Sequence, residues 1–112
     1  MLTGDIHSNW VARLLRDFDD ERSQVVGTEF AGTSLTSGRN GQEQSAFGGR
    51  AIPHNPHFDF YNSQRGYVLA SVAPEHWVTT YRRVRVVEST DGPVDTLATF
   101  VVEDGVPGAQ RA

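Results

Sequence analysis

The chain has 112 residues, the size of one domain and too short for two ordinary ones. Apolar residues make up 38% and charged residues 21%, which supports a modest core and argues against wholesale disorder. A formal net charge of -4 argues against nucleic-acid binding, no apolar run is long enough to span a bilayer, and the absence of cysteine excludes disulfides, thiolate metal sites and thiol catalysis within the chain.

Met1-Leu2-Thr3 is short and apolar and runs into Gly4-Asp5-Ile6-His7, the pattern of a buried strand ending in a turn. The chain starts inside this pattern with no lead-in, so the first strand looks cut. Ser8 or Asn9 can cap a helix, and Trp10, Val11, Leu14, Leu15 and Phe18 recur at helical spacing against Arg13, Arg16, Asp17, Asp19 and Asp20. This predicts an amphipathic helix over 9–19. Val25 to Phe30 reads as a strand. Residues 31–57 carry many glycines and prolines without a period and read as a long loop, most mobile over 38–49.

The second half reads as antiparallel strands over 65–72, 79–87 and 96–102. Pro74-Glu75-His76-Trp77 and Ser89-Thr90-Asp91-Gly92-Pro93 form the turns between them. Arg83 and Arg85 alternate with Val84 and Val86, which gives one wet and one buried face. The polar tail to Ala112 reads as loose. The fold class is therefore α+β, with one main helix near the N-terminus and mostly antiparallel strands after it.

Asp5 and His7 are the strongest candidates for chemistry. A carboxylate and an imidazole two apart at a strand exit can converge on one cation, and this donor pair suits iron, manganese, zinc or calcium. Asp5 could equally cap a following helix. His54 and His57 are three apart, but Pro56 between them disfavours the helix that would align them as a metal pair, and His76 reads as structural or exposed. No nucleophile elbow, phosphate loop or dinucleotide fingerprint occurs.

Several blocks together resemble the C-terminal part of PhoD-type alkaline phosphatases. They are Leu2 to Trp10, Val26 to Ser34, Asn55-Pro56-His57 with Arg65-Gly66-Tyr67-Val68, Pro74-Glu75-His76-Trp77, and the closing Ala98 to Gly105 with Pro107-Gly108, all in the family's order. The resemblance implies a metallophosphoesterase αββα sandwich, two mixed sheets flanked by helices. It also implies hydrolysis of phosphomonoesters and phosphodiesters with iron and calcium. It makes Asp5 and His7 late metal ligands, His7 also meeting the phosphate, and gives His57 no assigned role. Such enzymes are typically exported by a twin-arginine signal.

The chain departs from the family in length, lacks its early metal-binding motifs and lacks the cysteine of its iron site. These departures predict a C-terminal piece that is inactive alone, has unpaired sheet edges and is complemented by an N-terminal half. Two other readings stand beside it: a small β-rich binding module using residues 31–57, and a metal-binding remnant.

Overall fold

The computed structural model describes residues 1–112 and is built almost wholly of strands. In chain order these are β1 (Leu2–Thr3), β2 (Asn9–Leu15), β3 (Val25–Ala31), β4 (Gly41–Gln42), a short helix α1 (Ala46–Ala51) with a 3-10 turn (Ile52–His54), β5 (Phe58–Gln64), β6 (Gly66–Val72), β7 (His76–Val84), β8 (Val94–Glu103) and β9 (Val106–Arg111). They form two sheets, one in the order β1-β3-β2-β5-β4 and the other a simple meander β6-β7-β8-β9. Apart from the parallel pair β1–β3, every pairing is antiparallel. No helix is long and apolar enough to cross a membrane.

The helix expected over 9–19 is instead β2, the middle strand of the first sheet. Its first four residues, Asn9, Trp10, Val11 and Ala12, are all buried. Both faces of this strand are covered, so alternation disappears and the apolar residues no longer report a period of two. Val11 faces the second sheet. Trp10 faces outward, its ring within 4.4 to 6.2 Å of the rings of Phe47, Phe58 and Tyr61. Phe18, which completed the helical stripe, lies beyond the strand and is exposed. The α+β expectation is thereby corrected to a mainly β architecture whose one short helix lies in the middle of the chain. The flanking helices of a metallophosphoesterase sandwich are not among its elements.

Other boundaries shift for local reasons. Residues 31–57 are not one loop but carry β4, α1 and the 3-10 turn, and α1 lies against the outer face of the first sheet. Its Gly48 sits so close to the Tyr61 ring that a side chain would overlap it. Strand β5 escapes a period-two reading because its register slips between the pairs Val11–Phe60 and Ala12–Phe58, an irregularity that leaves the Asp59 backbone without a register partner on β2. Phe58 and Tyr61 thus face Trp10 while Phe60 faces the core. Strand β7 begins at His76, so Pro74 and Glu75 alone remain in the turn, and Arg85 to Val87 lie outside it. The tail is not loose: β9 pairs with β8 and places the Arg111 guanidinium over the rings of Phe60 and Phe100. Strand β1 is two residues long and sits at the sheet edge with Leu2 exposed.

The core lies between the sheets. Val11 and Phe30 meet Tyr81, Ala98 and Phe100, with Phe60, Val68 and Trp77 packed around them. Tyr81 is fully buried, and its hydroxyl donates to the Trp10 carbonyl at 2.7 Å, joining the middle of one sheet to the other. Burial pushes the phenol well above its usual pKa, so it stays a donor at any ordinary pH. Tyr81→Phe keeps the ring and deletes the donor. It should cost about 1–2 kcal/mol in urea unfolding with an unchanged m value, and an unchanged midpoint would show that the bond adds nothing.

Candidate functional site

The sandwich has one polar end. There β2 starts, β3 and β5 finish, and the chain turns from β5 through Arg65 directly into β6. Five of the seven buried polar or charged residues collect here: Ser8, Asn9, Asn62, Ser63 and Arg65. Asn9 and Asn62 are register partners across β2 and β5. The Asn9 Oδ1 accepts the Thr33 amide at 3.0 Å, while its Nδ2 and the Thr33 hydroxyl have no protein partner. Gly66 makes the corner possible, because a side chain there would run into the Arg82 carbonyl.

Asp5 and His7 stand at this end, in the exposed segment between β1 and β2. Both have positive φ, 73° for Asp5 and 58° for His7, a conformation that costs a non-glycine residue energy and is concentrated at functional sites. Neither takes part in an ion pair; those join Arg13 to Asp59 and both Arg83 and Arg85 to Asp95. The two side chains line separate depressions. Asp5 lines a groove of about 600 Å³ between β1 and β6, together with Leu2, Phe30, Leu35 and Tyr67. His7 lines a cavity of about 370 Å³ with Ile6, Ser45, Phe47, Tyr61, Ser63 and Arg65. No cluster of three or more His, Cys, Asp or Glu side chains forms anywhere in the chain.

The remaining histidines lie elsewhere. The half-buried His57 packs against Phe58 and edge-on to Phe18, with ring centroids 4.5 and 5.3 Å away, and its carbonyl accepts the Arg13 amide. His54 is exposed in the 3-10 turn and His76 is exposed at the start of β7. Neither joins Asp5 and His7.

Arg65 carries no role in the sequence reading beyond opening a strand and a family block, yet it is the most heavily committed side chain of the polar end. It is 5% exposed. Its Nη1 donates to the Ser34 hydroxyl at 2.6 Å and the Ser37 carbonyl at 2.9 Å, and its Nη2 donates to the Ser63 carbonyl at 2.6 Å. Burial lowers its pKa without threatening its charge. The available signal was a lone arginine directly before a glycine at the start of the strand pattern over 65–72, in Ser63-Gln64-Arg65-Gly66.

Beside it, Arg83 makes a two-pronged contact with Asp95 (2.9 and 2.6 Å) and reaches the Gln64 amide oxygen at 3.2 Å, while Arg85 also bonds Asp95. The hydrogen bonds from Arg83 first, then those from Arg85, hold the Asp95 carboxyl down at about 2. A carboxyl whose pKa is lowered on folding stabilises the fold above its unfolded pKa, 3.8, and loses that contribution as pH falls through 2. The stability gap between the natural chain and Asp95→Asn should therefore be full above about pH 4 and shrink towards pH 2. Denaturant midpoints measured across that range check this, and a gap independent of pH would contradict it.

Comparison with known proteins points one way. The family model for PhoD-like phosphatases matches residues 1–81. The chain is 38% identical over 111 residues to alkaline phosphatase D of Bacillus subtilis (strain 168), covering 99% of this chain and 19% of that protein. It superposes on the solved structure of PhoD with a TM-score of 0.91 at 38% identity, over 99% of this chain and 21% of that one. The chain thus spans about a fifth of the length of the relatives it matches.

Proposed function

The chain belongs to the PhoD-like phosphatase family, and on that premise we propose that it serves as a C-terminal part of a metal-dependent phosphatase acting on phosphomonoesters and phosphodiesters, to which it contributes Asp5 and His7. The observation that carries the assignment is the backbone at these two residues. Both hold a costly left-handed conformation while their side chains stay exposed and outside every ion pair. Residues held so, yet unused by the fold, are available to a ligand.

The donor types fit the implied group. A carboxylate oxygen and an imidazole nitrogen suit calcium and iron respectively. Their number does not suffice, since a catalytic metal takes about three protein ligands and the chain gathers no such set. In this reading the further ligands come from segments corresponding to the rest of the relatives' length, and an N-terminal half is the partner. With those further ligands in place, Asp5 and His7 would help hold a metal that would supply Lewis-acid polarisation of the phosphoryl oxygens and a more acidic bound water.

The chain's own residues do the rest. Asp5 and His7 hold their donors at the rim, and His7 turns towards the cavity that also contains Arg65, where it can meet the phosphate of the substrate. The pairing of β1 with β3 (Leu2 to Phe30, Thr3 to Ala31) and the Met1 carbonyl's bond to the Phe30 amide fix the approach to this segment from one side. The buried Ser8 and Asn9 fix it from the other.

Equilibrium dialysis against calcium and iron, with the natural chain, Asp5→Asn and His7→Ala in parallel, tests the reading. Weak metal uptake by the natural chain should be lost in both variants, with no turnover of a phosphodiester above the buffer rate. Uptake that both variants retain would remove the ligand assignment. Robust metal-dependent turnover by the 112-residue chain would overturn its inactivity.

A further inference from the structure

The polar end holds a feature that the metal reading leaves unexplained. Arg65 is a cation 95% removed from solvent by its 5% exposure, and no carboxylate pairs with it. Desolvating a guanidinium without a counter-charge is costly, and three neutral acceptors offset that only in part. They occupy three of its five N–H groups; Nε is buried with no partner, and one Nη2 hydrogen is unused.

No side chain lining the cavity beside Arg65 carries a negative charge, and several offer hydroxyl donors. Across it, the Ser45 and Tyr61 hydroxyls are 2.5 Å apart. Two hydroxyls carry two hydrogens and one bond uses one of them, so whichever donates, the pair keeps one O–H free to point elsewhere. Ser8 accepts the Trp10 indole N–H at 2.7 Å, and its own hydroxyl hydrogen has no acceptor. The His7 ring completes the lining. On the far side of Arg65 a separate depression holds Glu88, whose carboxylate is bonded to Asn40 at 3.3 Å rather than to Arg65.

The geometry points to a metal-independent oxyanion site in this cavity, taking a phosphate group by the charge of Arg65 and the spare O–H groups of Ser8 and the Ser45–Tyr61 pair. Arg65 supplies most of the attraction through a low-dielectric wall, and the hydroxyls supply the directed contacts. The site goes beyond the metal assignment of Asp5 and His7 and does not depend on it. If both hold, the chain grips the phosphate of a substrate or product beside His7, which lines the same cavity.

Calorimetric titration of the chain with inorganic phosphate tests this, in metal-free buffer and against chloride at equal ionic strength. The natural chain should show saturable binding. Arg65→Gln should weaken it about tenfold or more, and the double variant Ser45→Ala/Tyr61→Phe should weaken it severalfold. Glu75→Gln, a change of charge at an exposed position in the turn before β7, should leave it unchanged, and the metal-free buffer separates this site from the metal reading. Circular dichroism reports whether each variant folds; if Arg65→Gln does not, the double variant decides. Absence of saturable binding in the natural chain, or equal affinity in the folded variants, would overturn the proposal.

Discussion

One buried hydrogen bond sets the relation between the two sheets. Tyr81, in the middle of the meander, reaches across the core to the carbonyl of Trp10, in the middle strand of the other sheet. Apolar packing around it is non-directional, so Val11, Phe30, Phe60 and Phe100 supply most of the burial and little of the direction. The hydroxyl has one acceptor within reach and stays protonated, so it fixes one placement of sheet on sheet. Trp10 is thereby pinned by its backbone on the inside and by Phe47, Phe58 and Tyr61 on the outside. That clamp orients the segment just before it, where Asp5 and His7 stand.

The parts of the fold that could be read from the residues are those where one face is wet. Strand β6 matches its alternating apolar pattern, and the stretch read over 96–102 lies inside β8. In the first half the stretch read over 25–30 matches β3, but the rest resisted for two physical reasons. Strand β2 is covered on both sides, so its run of Trp10, Val11 and Ala12 carries no period, and Leu14, Leu15 and Phe18 completed a false helical stripe. Strand β5 contains a register slip that turns Phe58 and Phe60 to opposite faces. No local pattern could show either, because both depend on which neighbours the strand acquires.

At the site the balance is different. Asp5 and His7 stood out by residue type and by family resemblance, and the left-handed backbone at both adds a conformational reason to single them out. Arg65 did not stand out, since its meaning lies in what it lacks. Only the folded chain shows a guanidinium enclosed by serines and backbone carbonyls with no carboxylate paired to it. The same holds for Ser45 and Tyr61, sixteen positions apart in the chain and joined by the seating of Gly48 of α1 against the Tyr61 ring.

The two sheets also differ in how far the chain must travel to close them. In the meander every pairing joins consecutive strands across nine residues or fewer, whereas the other sheet also needs Asn9 to find Asn62 and Leu2 to find Phe30. Local pairings form faster because little loop entropy is lost before contacts form. Contact order alone favours the meander and the β2–β3 hairpin as early units, with the pairings of β1 and β5 the more demanding ones. Asp5 and His7, between β1 and β2, stand beside the pairings that cost the most loop entropy. Their geometry is thus most exposed to whatever else docks beside them.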